Sequence, residues 1–324
     1  MNENHNNNDW QPTASQSELV ERAKLLAKIR HFFSSKNVLE VDTPSLSHGT
    51  ITDVYLDALK SSYQNNHGET QPLYLQTSPE FAMKRLLAAG SGSIYQICRA
   101  YRDDQIGRYH NPEFLMLEWY RVDFDHLQLM AEMDELLTAI LATEPADIIT
   151  YQQLFMDTLQ LDPLIETKSC LQKIVTEKTN GPILDERDEL LQCLFVILIE
   201  PFLGQEKPLM VVDFPASQSS LARLSKTDPR VAERFEVYYK GVELANGFHE
   251  LQDTTEQRER FNQDNGQRKR LGKEQKPLDE RFLAALESGL PDCAGVALGL
   301  DRLLMLKLNK KSIQEVMPFT LDRA

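Results

Sequence analysis

Cysteine is scarce: four in 324 residues, at Cys98, Cys170, Cys193 and Cys293. None forms a Cys-x-x-Cys pair, so a disulfide scaffold and a zinc-ribbon layout are both excluded. They read as reduced thiols of a cytoplasmic protein. No apolar run reaches the roughly 18 residues of a membrane-spanning helix. The Asn-rich start, Met1 to Asp9, lacks the basic and apolar stretches of a signal peptide. Basic residues are also few, 35 Lys and Arg against 49 Asp and Glu, for a net charge of −14 and a pI near 5.0. Nucleic-acid binding rests on neutralising phosphates, so the bulk charge argues against a large nucleic-acid footprint. Neither an internal repeat nor a low-complexity linker is present.

What is there is an ordinary globular composition, 41% hydrophobic and 26% charged. A chain of this length buries roughly 75% of its unfolded surface, ample for a core. Residues 1–16 are expected to be a disordered tail. Residues 17–324 are expected to form one catalytic-type domain with a helical insertion at about 126–204. The first helix is expected from Ser17 to Lys36, with Leu19, Ala23, Leu26, Ile29 and Phe33 on its apolar face. Short strands at Val38–Val41, Ile51–Leu59 and Leu73–Gln76 precede a helix from Pro79 to Ala89. Two strong strands follow, Ser93–Asp103 and Glu113–Val122. After the helical stretch, strands are expected at Leu209–Asp213, Glu233–Tyr239 and Val242–Phe248. A polar helix over Thr254–Lys273, a strand at Gly295–Leu300 and a helix at Asp301–Leu308 complete the chain. Strands joined by hairpins rather than crossover helices imply an α+β fold, an antiparallel sheet flanked by helices.

Four segments carry chemistry. In Glu113–Tyr120, EFLMLEWY, alternation places Phe114, Met116, Glu118 and Tyr120 on one face. A carboxylate among apolar side chains needs a partner, so Glu118 either awaits a cationic group on a pocket floor or meets water on an edge strand. The preceding strand is expected to end with Arg102 and Asp104 on one face, where a guanidinium could hold a phosphate or carboxylate bidentately. The connecting loop adds Arg108, His110 and Asn111, or is simply a solvated tip. In ERFEVYYKGVELANGFHEL, a turn at Lys240–Gly241 would bring Glu236 and Glu243 together across a hairpin. Paired carboxylates there either share a cation, Mg²⁺ on nucleotide phosphates being the natural one, or are merely solvated. Asn246, Phe248 and Glu250 would share a face of the outgoing strand. Finally, GVALGLDRLLML runs a small-residue strand into a helix at Asp301–Arg302, either a place where a ligand approaches the backbone or a tight packing corner.

Together these segments resemble a class II aminoacyl-tRNA synthetase catalytic domain of the lysyl type, from about Leu19 to Ala324. The family's first motif resembles the long helix followed by VLEVDTPSLS. The second resembles RAYRDDQIGRYHNPEFLMLEWY, the third GVALGLDRLLML, and ELANGFHEL is the lysine-type sequence. The resemblance implies that Arg102 holds the ATP α-phosphate and the substrate carboxylate, with Arg302 near the γ-phosphate. These two would be the catalytic residues. Phe114 would stack on adenine, and Asp103, Asp104, Arg108, His110, Asn111, Glu243, Leu244 and Gly299 would line the nucleotide. Glu236 and Glu243 would bind Mg²⁺. Ser78, Pro79, Glu80, Glu118 and Ala297 would face the substrate's amine and α-carbon region. Tyr120 and Glu250 would hold the distal ammonium, helped by Asn246 and Phe248.

Three departures shape the expectation further. Asp104 stands where the family has Glu, and Ala297 where it has Gly. The motifs begin about 20 residues in, which leaves no room ahead of them for the anticodon-reading barrel of the tRNA enzymes. Truncation of that kind resembles a branch of lysyl-type paralogues that acylate a protein. It implies ATP-dependent activation of (R)-β-lysine and transfer to a lysine of elongation factor P, by a cytoplasmic homodimer. A tRNA ligase with a separate tRNA-binding partner, a catalytically inactive binding paralogue and an asparagine-forming amidoligase are the competing readings.

Overall fold

The computed structural model describes residues 10–179 and 184–324. In chain order the elements are α1 (Gln16–Ser35), β1 (Leu39–Glu40), β2 (Leu46–Ser47), β3 (Lys60–Gln64), β4 (Thr70–Leu75), α2 (Glu80–Ala88), β5 (Ile94–Tyr101) and β6 (Glu113–Val122). Next come α3 (His126–Leu141), β7 (Asp147–Thr150), α4 (Tyr151–Leu159), α5 (Lys168–Lys178), α6 (Arg187–Leu194), β8 (Leu209–Pro215), β9 (Val231–Tyr239) and β10 (Val242–His249). Last are α7 (Thr254–Arg270), α8 (Glu280–Gly289), β11 (Cys293–Gly299) and α9 (Leu300–Lys307). The chain divides into two compact units. The first holds Met1–Trp119, Asp253–Leu290 and Leu298–Ala324, the second Tyr120–Gln252 and Pro291–Ala297.

In the first unit β1 lies parallel to β5, Leu39 opposite Ile94, and β5 neighbours β6. A separate three-stranded sheet has the order β2-β4-β3. The core gathers on Phe33 of α1, which stacks on Tyr95 at 4.4 Å and meets Trp119 edge-on at 5.3 Å. Phe81 of α2 stacks on Phe282 of α8 at 4.4 Å, with Phe261 of α7 alongside at 5.8 Å.

In the second unit the strand order is β11-β10-β9-β8-β7. β9 is antiparallel to both β8 and β10, while β7 is parallel to β8. Tyr151, Phe155, Phe195, Phe214 and Tyr238 form its aromatic core, with Tyr151 stacked on Phe195 at 5.5 Å. Among the described residues no helix is long and apolar enough to cross a membrane.

Several expectations are corrected. The sheet pairing is mixed rather than antiparallel, since β1–β5 and β7–β8 run parallel. Met1–Asp9 of the expected tail lie outside the described residues. The remainder is tied down: the Thr13 and Ala14 amides donate to the Pro318 and Met317 carbonyls. Ile51–Leu59 is not a strand. Its carbonyls at Asp53 and Val54 accept from Arg268 and Lys273 side chains, so cations take the place of a ladder partner. On α1 the inward stripe is Arg22, Leu25, Ile29 and Phe33, whereas Ala23 is exposed. Within the expected helical insertion, α6 is followed by a π turn at Phe195–Ile199 and a 3-10 turn at Glu200–Phe202. Pro201, which has no N–H to donate, stands in the final turn. β7 and α8 went unread, although Asp279 caps α8 by accepting from the Phe282 amide at 2.9 Å.

Candidate active-site residues

The first unit carries the segments rich in arginine. β5 ends at Tyr101, so Arg102, Asp103 and Asp104 lie beyond the strand rather than on its face. The chain is held there by backbone bonds: the Arg102 amide to the Pro112 carbonyl at 2.9 Å and the Asp103 amide to the Asp57 carbonyl at 2.8 Å. The Arg102 guanidinium sits 5.1 Å over the Phe114 ring and donates to the Thr77 carbonyl at 3.4 Å. A cation thus already lies over the ring expected to stack on adenine. Arg302, from the first turn of α9, meets Nε2 of His110 at 2.9 Å and the Tyr109 carbonyl at 3.2 Å. Arg108 donates to the Lys311 carbonyl at 2.6 Å. Asn111 is anchored between the Glu113 carbonyl at 2.6 Å and the Leu321 amide at 3.3 Å. Of the two readings of this loop, a bare solvated tip does not hold: Arg108 and Asn111 fasten it to the C-terminal segment.

Acids of the first unit are already engaged. Glu118 of β6 is 2% exposed and accepts from the Ser78 hydroxyl at 2.7 Å. That hydroxyl in turn accepts from the Glu80 amide at 3.0 Å, where Pro79 leads into α2. Glu80 pairs with the buried Lys84 at 2.7 Å. The charge of Glu80 is thus largely balanced within α2.

The second unit carries the hairpin acids. Lys240 and Gly241 both adopt positive φ, 52° and 70°, as a tight hairpin turn requires. A Cβ on Gly241 would stand 2.7 Å from the Pro201 carbonyl oxygen, so only glycine fits. Across the hairpin Glu243 opposes Tyr238 and Asn246 opposes Glu236, with a bulge between Glu243 and Ala245. Residues directly opposite point the same way, so Glu236, Glu243, Asn246 and Phe248 share one face, with Leu244 buried off it. Arg234 and Tyr238 each bond one oxygen of Glu236. Arg234 also reaches Asn246 at 3.2 Å and lies 4.5 Å over Phe214. Burial pushes the Glu236 carboxyl up, against the pull of Arg234 and with the Glu243 charge adding to the rise. Two carboxylates are the oxygen donors that a hard divalent cation takes, although Arg234 and Tyr238 already bond both oxygens of Glu236.

Glu250 is 1% exposed, and its amide donates to the Cys293 carbonyl at 3.0 Å. Its side chain meets β11 at Gly295. A Cβ there would lie 2.6 Å from a Glu250 carboxylate oxygen and 2.2 Å from the Tyr120 ring. Ala297, two residues along, falls on the same strand face as Gly295. The sequence names Tyr120, Glu250 and Ala297 as substrate residues and places Gly295 and Asp301 in the same segment without a role of their own; Arg234 is not singled out. Asp301 bonds Arg22 and the Leu115 amide. Arg22 interrupting an apolar helical stripe was the available signal for it.

A family model described as tRNA synthetases class II (D, K and N) matches residues 4–323. A protein of Edwardsiella ictaluri named elongation factor P--(R)-beta-lysine ligase is 53% identical over 97% of this chain and 98% of its own length. Proteins of the same name from Salmonella paratyphi B and Salmonella schwarzengrund are each 51% identical, with the same coverage. This chain therefore belongs to the class II tRNA synthetase family of the D, K and N type.

Proposed function

We propose that this protein activates (R)-β-lysine with ATP and transfers the acyl group to a lysine side chain of elongation factor P. The observation that carries the reading is the full-length identity of 51–53% to ligases of that name. The buried acids Glu118 and Glu250 suit a substrate with two amines.

Two displacements follow. A carboxylate oxygen of the amino acid attacks the α-phosphorus, and the bond to the β-phosphate oxygen breaks with release of pyrophosphate. The ε-amine of the acceptor then attacks the acyl carbon. An amide forms, AMP leaves with the electron pair of the broken C–O bond, and the nitrogen loses a proton. Arg102 orients the carboxylate against the α-phosphate, and Arg302 balances charge growing on the leaving pyrophosphate. Phe114 stacks on adenine, Asp104 receives its amino group, and Asp103, Arg108, His110, Asn111, Leu244 and Gly299 complete the nucleotide's surroundings. Glu118, with Ser78, Pro79 and Glu80 behind it, holds the nearer amine. Glu250, Tyr120, Asn246 and Phe248 hold the distal ammonium. Glu236 and Glu243 would hold Mg²⁺, whose charge offsets that of the phosphates. Attack passes directly between substrates, so no covalent enzyme intermediate is required. A homodimer in the cytoplasm completes the reading.

The test is ATP–pyrophosphate exchange across a panel of amino acids. Exchange driven by β-lysine and abolished by EDTA is expected. Equal exchange with leucine, or exchange that persists in EDTA, would remove the basis for these assignments.

A further inference from the structure

The second unit holds a cluster that the ligase chemistry leaves unused. His126 opens α3, Glu233 lies on β9 and His249 ends β10. One ligand atom from each lies within 4.8 Å of the other two. Their side chains are only 12%, 17% and 11% exposed. Nδ1 of His249 sits 2.5 Å from Glu233, and Nδ1 of His126 sits 3.9 Å from the same carboxylate oxygen. Nδ1 of His126 is buried and has no hydrogen-bond partner among the described residues. A buried ring nitrogen facing a carboxylate and a second imidazole is a donor set waiting for an acceptor.

We propose that His126, Glu233 and His249 form a transition-metal site, with Zn²⁺ the fitting ion. Two imidazoles and one carboxylate match the ligand chemistry of zinc and disfavour magnesium and calcium, which take oxygen ligands. Metal–ligand bonds of about 2.0–2.2 Å in a tetrahedron set donors about 3.3 Å apart. The two distances to Glu233, 2.5 and 3.9 Å, bracket that spacing, and all three donors already lie within 4.8 Å of one another, so side-chain adjustment alone closes the site. The outer shell is in place. Nε2 of His249 faces Asp292 at 3.0 Å, and Arg223 holds Asp292 at 2.5 Å. A carboxylate behind a ligating histidine fixes its tautomer, leaving Nδ1 for the metal. The ion would take the place of the direct contact between Nδ1 of His249 and Glu233, with water at the fourth position. The ion would tie the start of α3 to the β9–β10 hairpin, one residue before Glu250. The proposal does not depend on the ligase reading.

The test is titration of chelator-treated full-length protein with Zn²⁺ by calorimetry, and with Co²⁺ by visible absorption. One equivalent is expected, with a Co²⁺ spectrum typical of nitrogen and oxygen ligands at low coordination number. His126→Gln removes a ligand whose Nδ1 has no hydrogen-bond partner among the described residues, so circular dichroism should match wild type while affinity falls at least about tenfold. Asp292→Asn, acting behind His249, should weaken binding about 10- to 100-fold. Absence of binding to wild type would overturn the proposal. So would binding that His126→Gln and Glu233→Gln both leave intact, as thiol ligation would give.

Discussion

Arg22 and Asp301 form a buried ion pair at 2.6 Å, joining α1 to the start of α9. The other oxygen of Asp301 accepts from the Leu115 amide of β6 at 2.7 Å. One carboxylate thus fastens the three segments that carry the family's motifs within the first unit. Removing one partner of a buried pair leaves an uncompensated charge, a loss of about 3–5 kcal/mol. Asp301→Ala should therefore lower unfolding free energy by that amount in urea denaturation, and Arg22→Met by a similar amount. The double variant should cost less than the sum of the two. Additive losses below about 1 kcal/mol each would show that the pair is not structural.

Glu250→Gln should raise KM for the diamino acid steeply while leaving the Kd for ATP unchanged. A neutral amide cannot compensate the distal ammonium. Gly295→Ala should act on the same side of the reaction, because its methyl would fall 2.2 Å from the Tyr120 ring and 2.6 Å from Glu250. Displacing both groups should lower kcat/KM for the amino acid on the order of 10- to 100-fold. Unchanged kinetics in both variants would mean that the substrate lies elsewhere.

Ala297 shares the Gly295 face of β11, and a single methyl changes pocket discrimination by roughly 10- to 200-fold. Ala297→Gly should shift preference from β-lysine towards α-lysine. The readout is the ratio of kcat/KM for the two isomers. A ratio that does not move would assign selectivity to another wall residue, such as Ser78.

Burial, with the Asp53 charge adding to it, pushes the Asp264 carboxyl up to about 6, although Thr52 donates to it at 2.6 Å and Arg268 and Arg260 pull it down. The folded state therefore binds this proton more tightly than the unfolded chain does. Its stabilising effect is full below about pH 4 and is lost as pH rises towards 6. Asp264→Asn keeps an acceptor for Thr52 and cannot ionise. The variant should raise stability at pH 7 by on the order of 2 kcal/mol and flatten the decline between pH 4 and 6. A parallel loss in wild type and variant would contradict this.

What the sequence disclosed follows from range. The β9–β10 hairpin was legible because Lys240–Gly241 is a local turn signal, and the cross-strand approach of Glu236 and Glu243 follows from it. The face of α1 was misjudged by about one position, because Arg22 is buried by a residue 279 positions away. Ile51–Leu59 looked like a strand from its run of apolar residues, of which only Val54 and Ala58 are buried. What satisfies its backbone comes from α7 and the residues after it, which no local pattern encodes. Parallel pairing of β1 with β5 likewise depends on contacts beyond any hairpin. Arg102 was found by residue type, but its position beyond the end of β5 and over Phe114 required coordinates.

The most direct measurement presents the acceptors in competition. Purified protein, ATP, Mg²⁺ and (R)-β-lysine are incubated with elongation factor P and bulk tRNA at physiological salt, and each acceptor is analysed by mass. The account predicts one added β-lysyl mass on a single lysine of elongation factor P, with no aminoacylated tRNA above background. Robust charging of tRNA with an unmodified protein acceptor would contradict it.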